Sequence, residues 1–314
     1  MKRIKLCIIA LLMVSLFSAC NSEQSENSNN GFAEQYKDYG GEMLVLGVVN
    51  DSEPTENGVV YLDSLSDNLN IQFANLTETD SEYIIKVFFD YEETGFSIDG
   101  VGVSEYVFQA KAGESLTFPI TINPDVEFDS SHILTVAVLT APNKYAAEID
   151  LMSNSYGMVL SYELAKRGQE RSIAEKTIAE DPEGYIALNF QGLMINSDFK
   201  FAEGTSVKFP SKELTVKENE TVSMAYRAGN YEKSEDILLL LLVDWKQTDI
   251  DGSPFLHITN KEGSISYGTL KFQAPSEPGK YEVTAFVVDS PYRMKDGDTF
   301  HTHDTSYRFT LVVE

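Results

Sequence analysis

Two histidines stand two residues apart in an acidic segment near the C-terminus. The segment carries five metal-ligating side chains, Asp296, Asp298, His301, His303 and Asp304. Side chains two apart in a β-strand point to the same side, so His301 and His303 could ligate one Zn²⁺ or another transition metal. No third nitrogen or thiolate ligand lies nearby in sequence. The segment therefore predicts either a metal site or, as the simpler interpretation, a polar solvated loop.

A second acidic pattern, Asp249-Ile250-Asp251-Gly252, resembles the start of a calcium loop. Asp249 and Asp251 would supply hard oxygen ligands, and the glycine would allow a tight turn. The distal bidentate glutamate of an EF-hand is missing from its expected place. A Ca²⁺ site and a simple turn between strands therefore both remain open.

Sequence patterns of catalysis are not found in this chain. It contains no Gly-x-Ser-x-Gly, no His-Glu-x-x-His and no glycine-rich phosphate loop. We therefore predict a protein that is not an enzyme and needs no cofactor, unless one of the acidic segments binds Ca²⁺ or Zn²⁺.

The two cysteines both lie near the N-terminus, Cys7 within an apolar run and Cys20 directly after small residues. Lys2, Arg3 and Lys5 precede this run, which is too short to span a bilayer as a helix. Charged, apolar and small-residue regions in this order predict a secretory signal over residues 1–19. Its removal would leave Cys20 as the one cysteine, so no disulfide, thiolate metal site or cysteine nucleophile is expected.

The residues Leu16-Phe17-Ser18-Ala19-Cys20 resemble the lipobox of bacterial lipoproteins, although Phe17 stands where the family usually has leucine. The resemblance implies that Cys20 receives a diacylglyceryl group and becomes the first residue of the mature protein. Two acyl chains anchor a protein stably to a membrane. The predicted location is the extracytoplasmic face of the cell membrane. The alternative is an ordinary secretory signal that leaves Cys20 as a free thiol.

The mature chain is strongly acidic and begins with a polar tether over residues 20–40. Loss of the signal removes three basic residues and no acidic ones, which takes the formal charge from −25 to −28. Binding to nucleic acid or to an anionic lipid surface through a basic face is disfavoured, because both require clustered Lys and Arg. The acidity favours either solubility alone or attraction of Ca²⁺ and basic partner surfaces.

Short apolar stretches punctuated by Asn, Asp, Gly, Ser and Pro dominate the chain from Met43 onward, which predicts an all-β fold. We expect two tandem Ig-like β-sandwich domains, over 41–164 and 185–314, with a charged linker over 165–184. Alternation in 83–91 predicts a strand with one buried side and Lys86 on the other. The run Ile237–Val243 predicts a central strand buried on both faces.

The stretch from Ala274 to Asp289, with its Pro278-Gly279 turn, and the alternating strand Tyr307–Leu311 resemble the closing half of bacterial Ig-like or PKD-like modules. Trp245 is similar to their core tryptophan. The resemblance implies a β-sandwich and a role in adhesion or spacing.

These features together favour a membrane-anchored, non-enzymatic binding module whose partner is a protein or a cell-envelope glycan. Six tyrosines are candidates for stacking on sugars, although packing is the simpler role for each: Tyr91, Tyr156, Tyr162, Tyr226, Tyr231 and Tyr292. The alternatives are a metal-binding protein or metal-dependent hydrolase that uses residues 296–304, and an accessory subunit of an envelope transport machine.

Overall fold

The computed structural model describes residues 36, 43–50, 58–149, 157–187, 191–197, 211–229, 231, 234–292 and 301–314. These residues confirm the all-β prediction, since their only helical element is a single 3-10 turn, Ala146–Glu148. No described helix is long and apolar enough to cross a membrane.

The strands of the N-terminal half are β1 (Leu44–Asn50), β2 (Val59–Leu62), β3 (Leu69–Asn75), β4 (Ser81–Phe89), β5 (Glu92–Glu93), β6 (Phe96–Ile98), β7 (Val101–Val103), β8 (Tyr106–Ala110), β9 (Glu114–Ile122), β10 (His132–Thr140) and β11 (Gly157–Lys166). Its back sheet has the order β1-β3-β9-β6-β7. Its front sheet contains β2, β11, β10 and β4, with β5 and β8 along the far side of β4. Apolar side chains between the two sheets form the core of an Ig-like β-sandwich.

The strands of the C-terminal half are β12 (Gly184–Ile186), β13 (Gly192–Asn196), β14 (Glu213–Val216), β15 (Thr221–Gly229), β16 (Asp236–Val243), β17 (Lys246–Thr248), β18 (Leu256–Thr259), β19 (Ile265–Gln273), β20 (Gly279–Asp289), β21 (His301–Thr305) and β22 (Phe309–Val313). Its back sheet has the order β12-β19-β15-β13. Its front sheet contains β14, β22, β21, β20 and β16, with β17 and β18 along the far side of β16. A second core lies between these sheets.

The two halves repeat one topology. In each, an early short strand runs parallel to the last strand, β2 with β11 and β14 with β22. In each, a long strand ends in a two-residue turn with positive φ, Asp90-Tyr91 after β4 and Asp244-Trp245 after β16. Such turns match the twist of a β-hairpin. β4, β8 and β10 of the first half thus correspond to β16, β18 and β20 of the second.

The front sheets are joined into one 13-stranded sheet, because β21 pairs with both β11 and β20. This sheet doubles back, so that the outer faces of the two front sheets pack against each other. The apolar side chains between them form a third cluster, here called the shared core: Ile84, Phe88, Tyr91, Ile133, Ala137, Leu139, Val159, Leu238, Leu240, Leu242, Trp245, Phe255, Phe286, Val288 and Tyr292.

Because of the shared core, a strand of either front sheet is buried on both faces and needs apolar residues on both. The prediction for Ile237–Val243 is confirmed, since every residue of this run is buried. The prediction of a solvent-facing side in residues 83–91 is wrong, because Lys86 is fully buried and Ile84 and Phe88 belong to the shared core. The division into two tandem domains remains a prediction, since the shared core draws on both halves.

Residues 167–183, here called the connecting segment, lie against both halves. Ser172 accepts a backbone hydrogen bond from Ser131 of the N-terminal half at 2.9 Å. Glu180 exchanges two backbone hydrogen bonds with β18 of the C-terminal half, at 3.0 and 2.9 Å. The ends of the charged linker predicted over 165–184 therefore belong to β11 and β12, and the residues between are hydrogen-bonded to the β-structure on each side.

Candidate functional site

The seam, here the interface between the two halves around the shared core, contains a pair of matching aromatic contacts. Tyr91 donates its hydroxyl proton to the carbonyl of Pro291, and Trp245 donates its indole proton to the carbonyl of Pro142 at 3.1 Å. Pro291 follows β20 of the C-terminal half, and Pro142 follows β10 of the N-terminal half. Because β10 and β20 correspond, the two contacts are equivalent. Burial of the Tyr91 hydroxyl raises its pKa well above the ordinary range. Because each ring satisfies its polar atom across the seam, these contacts fix how the two halves dock.

A buried ion pair closes one end of the seam. Arg308 lies at hydrogen-bond distance from Glu282, with Nε to Oε2 at 3.0 Å, and both side chains are almost fully buried. Its other nitrogens donate to the carbonyls of Thr140 and Lys144 at 2.8 and 2.5 Å. The guanidinium lies 4.7 Å from the centre of the Trp245 ring. Arg308 of the C-terminal half thus holds the loop that follows β10 of the N-terminal half.

The carboxylate of Glu282 is stabilised by more than Arg308. The backbone amide of Ala146 and the hydroxyl of Thr310 donate to its Oε1 at 3.0 and 2.5 Å. Burial nevertheless raises the pKa of Glu282 above its ordinary value, and burial lowers the pKa of Arg308. The pair therefore depends on its hydrogen bonds to stay charged in the interior.

Corresponding residues of the hairpins after β4 and β16 also bind each other. The backbone amide of Glu93 donates to the side chain of Gln247 at 2.5 Å, and the backbone amide of Gln247 donates to the Glu93 carboxylate at 2.6 Å. Lys86 lies 2.5 Å from Glu93 and 3.3 Å from Glu105. The buried ammonium is therefore matched by carboxylates at the same seam.

Asp90 connects the first half to the connecting segment. Its carboxylate lies 2.8 Å from His132 Nδ1, accepts the Ile133 amide at 2.8 Å and lies 3.3 Å from Lys176. Burial alone would raise the pKa of Asp90, but the hydrogen bonds from His132 and Ile133 and the positive charges nearby lower it overall. The ionised form is the one that the fold stabilises.

We expect Asp90→Asn to destabilise the protein by about 1–3 kcal/mol near pH 7, because a charged acceptor of several hydrogen bonds is lost. The folded-state pKa lies below the ordinary value of 3.8, so this stabilisation is complete above that pH and disappears as the pH falls through the folded-state pKa. Urea unfolding of both proteins should show that their difference in free energy of unfolding is smaller at about pH 2.5 than at about pH 7. The control is Asp63→Asn, whose exposed side chain should change stability little at either pH. A gap of equal size at both pH values would contradict the assignment.

Of the five residues of the predicted transition-metal site, the structure describes the side chains of His303 and Asp304. Asp296 and Asp298 lie outside the described residues, as does the side chain of His301. His303 is buried, with Nε2 2.7 Å from the Ser161 hydroxyl, whereas Asp304 on the opposite face of β21 accepts a hydrogen bond from Tyr231 at 2.7 Å. Burial, together with the charge of Asp304, raises the pKa of that tyrosine. Joint ligation by these five residues stays a prediction.

Asp249 and Asp251 are exposed, and Asp251-Gly252 forms the turn of a tight hairpin closed by Ile250 and Ser253. Asp251 and Gly252 have φ of 52° and 84°, as an Asp-Gly hairpin turn requires. The same Ile-Asp-Gly sequence turns between β6 and β7, where Asp99 and Gly100 have φ of 51° and 77°. Asp251 and Gly252 thus form a turn between strands, and a Ca²⁺ site at Asp249 and Asp251 stays a prediction. Within the described ranges, no group of three or more His, Cys, Asp or Glu side chains could hold a metal ion.

The remaining candidate residues are buried or lie outside the described residues. Five of the six candidate tyrosines are at most 7% exposed, Tyr91, Tyr162, Tyr226, Tyr231 and Tyr292. They pack in the cores and do not offer a surface for stacking on sugars. Tyr156 and Cys20 lie outside the described residues.

Two exposed valines of the N-terminal half lie on β7 and β8, which form edges of its two sheets. Val101 on β7 is 62% exposed and Val107 on β8 is 41% exposed. Two shallow grooves lie close to β7, and both are lined by Gly95 and Ser104. The second groove reaches the C-terminal half at Gln247. These edges could accommodate an extended ligand, whereas the seam is filled by the protein itself.

No protein-family model matches the chain, and no curated protein matches it. Solved structures similar to it include the E. coli chaperone DraB, 12% identical, covering 87% of this chain and 97% of that chain with a TM-score of 0.28. The C-terminal domain of the Streptococcus pyogenes antigen I/II-family protein AspA is 9% identical, covering 86% and 99% with a TM-score of 0.24. Red sea bream transglutaminase is 10% identical, covering 90% of this chain and 33% of that chain with a TM-score of 0.25. Similarity at this level assigns neither a family nor an activity to the chain.

Proposed function

We propose that the protein is an extracytoplasmic lipoprotein, anchored through Cys20, that binds a protein partner without catalysing a reaction. The observation that carries the binding role is that the contacts between the two halves are buried, whereas apolar side chains are exposed at two strand edges. The buried charged residues Glu282 and Arg308 hold the two halves together, while exposed apolar residues occupy the free edges at β7 and β8. Exposed apolar groups at a sheet edge favour association with another chain.

A protein partner is favoured over a glycan by the positions of the aromatic residues. Sugar-binding surfaces stack their ligands on exposed aromatic rings, but the described candidate tyrosines and Trp245 are buried. Tyr145 and Tyr185 are each 37% exposed, but a lysine ammonium already lies over each ring, Lys280 at 5.5 Å and Lys261 at 5.7 Å from the ring centre. The exposed valines at β7 and β8 are suited to an extended polypeptide, which can also use backbone hydrogen bonds.

The anchor is tested by replacing Cys20 with alanine. We expect the wild-type protein to fractionate with membranes and the Cys20→Ala protein to be lost from that fraction, because the two acyl chains provide the attachment. Mass spectrometry of the mature wild-type N-terminus should find the diacylglyceryl adduct on Cys20. Cys7→Ala is the matched control and should behave as wild type, since Cys7 is predicted to leave with the signal. An unmodified Cys20 thiol on the mature protein would refute the anchor.

A further inference from the structure

The outer edge of β18 in the C-terminal half is already occupied. Glu180 of the connecting segment pairs with it in parallel, donating its amide to the carbonyl of His257 and accepting from the amide of Thr259. His257 is only 7% exposed, and its Nδ1 lies 2.8 Å from the hydroxyl of Thr177. Glu180 therefore covers this edge and satisfies the carbonyl of His257 and the amide of Thr259.

β8 is the counterpart of β18, and its register can be transferred residue by residue. Glu82 on β4 accepts a backbone hydrogen bond from Ala141 at 2.8 Å, as Asp236 on β16 does from Ser290 at 3.1 Å. The carbonyl of Glu82 therefore points away from β8, and its partner Gln109 must direct its backbone groups away from β4. The same holds for Val107, two residues away.

The carbonyl of Val107 and the amide of Gln109 thus correspond to the two groups that Glu180 satisfies on β18. Both residues are exposed, and β4 is the one strand of the described ranges that pairs with β8. The sequence of β8, Tyr-Val-Phe-Gln-Ala, carries no Lys, Glu or Pro, which protein sheets commonly use to block an edge. Within the part of the chain that the structure describes, the outer edge of β8 is therefore uncovered, whereas the corresponding edge of β18 is covered by Glu180.

The charge of the sequence segment that contains β8 favours one kind of chain as its partner. Residues 92–129, which contain β5 to β9, carry eight acidic residues and one basic residue. An approaching acidic segment would be repelled, whereas a basic one would be attracted. A second copy of this chain, with a formal charge of −25, is disfavoured for the same reason.

We propose that β8 is a docking edge for an extended, basic peptide segment of a protein partner, which adds as a parallel strand with one residue in the position that Glu180 takes on β18. That residue donates its amide to Val107 and accepts from the amide of Gln109. Apolar side chains of the segment cover Val107. This inference rests on the proposed binding function. It adds the binding site, the edge of β8, and the type of partner, a basic extended peptide.

The test compares Gln109→Pro with Gln109→Ser in binding to an acetylated alternating Val–Lys peptide of about ten residues, a typical strand length. Proline removes the outward amide but no bond to β4, a position that edge strands tolerate. Serine keeps the amide and is the matched control. Titration calorimetry should give about a tenfold weaker Kd for Gln109→Pro than for Gln109→Ser, as expected for one lost hydrogen bond and a blocked edge. Val107→Lys, which keeps every backbone group and adds a repelling charge, should also weaken binding.

Several outcomes would overturn the proposal. These are no binding of the Val–Lys peptide to the wild type, equal binding by Gln109→Pro and Gln109→Ser, or equal binding of a Val–Glu peptide. Dimerisation that Gln109→Pro abolishes would identify a second copy as the occupant. The binding function fails separately: crosslinking at the cell surface that persists in Gln109→Pro would refute only the edge, whereas a wild type that crosslinks to no protein would refute the function itself.

Discussion

Replacing Arg308 with methionine is expected to lower the free energy of unfolding by about 3–5 kcal/mol, the range for removing one partner of a buried ion pair. Glu282 would lose its cation while remaining buried, and the carbonyls of Thr140 and Lys144 would lose their donors. The contact of the guanidinium with the Trp245 ring would also be lost. Urea denaturation followed by circular dichroism measures the loss.

The effect of Arg308→Met should depend on pH. Burial already raises the pKa of Glu282 above its ordinary value of 4.5, and loss of the cation would raise it further. A group whose folded-state pKa is raised stabilises the fold below its ordinary pKa and loses that contribution as the pH rises. The penalty should therefore be smaller below pH 4.5 than at neutral pH. Lys280→Met removes the exposed ion pair with Glu213 and should change stability little, because water screens both charges. Equal losses for the two variants would contradict the role of Arg308.

Replacing Leu240 with alanine is expected to cost about 2–5 kcal/mol, because the cavity would form in the shared core where the surroundings cannot collapse. Leu240 is fully buried between the two front sheets. Since this core belongs to both halves, we expect one cooperative transition shifted to lower urea. Fluorescence of Trp245, the one tryptophan of the chain, and far-ultraviolet circular dichroism should report the same midpoint.

The matched control is Ile178→Ala in the connecting segment. Ile178 is 89% exposed, so its truncation should change stability by at most about 0.5 kcal/mol. If Leu240→Ala instead produced two separated transitions, the halves would be independent units and the shared core would be a minor contact.

The sequence predicts the strands better than it predicts what they pack against. Ile237–Val243 has no polar residue, and this predicts a strand buried on both faces. β4 is buried just as completely, yet its Lys86 favours a solvated face, because sequence cannot show that Glu93 and Glu105 neutralise the ammonium. Trp245 is a core residue as predicted, but it lies in a turn and packs in the shared core.

One signal in the sequence would have indicated the arrangement of the halves. The pattern Asp-aromatic-x-x-Thr occurs at 90–94 and again at 244–248, and Ile-Asp-Gly follows each copy. A duplicated turn implies a duplicated fold, and it explains Asp251 as a turn residue. The pairing of Glu180 with β18 could not be predicted, since it joins backbone groups whose position depends on how the chain folds in three dimensions.

Hydrogen exchange of two corresponding amides in the free protein tests the central claim most directly, that the halves share one topology but only the C-terminal one has its edge closed. Thr259 donates its amide to Glu180, whereas the amide of Gln109 faces outward from β8. We predict slow exchange at Thr259 and fast exchange at Gln109, with neighbouring Phe108 protected by its pairing to β4. Protection of Gln109 equal to that of Thr259 would contradict the account, because it would show that the β8 edge is already covered.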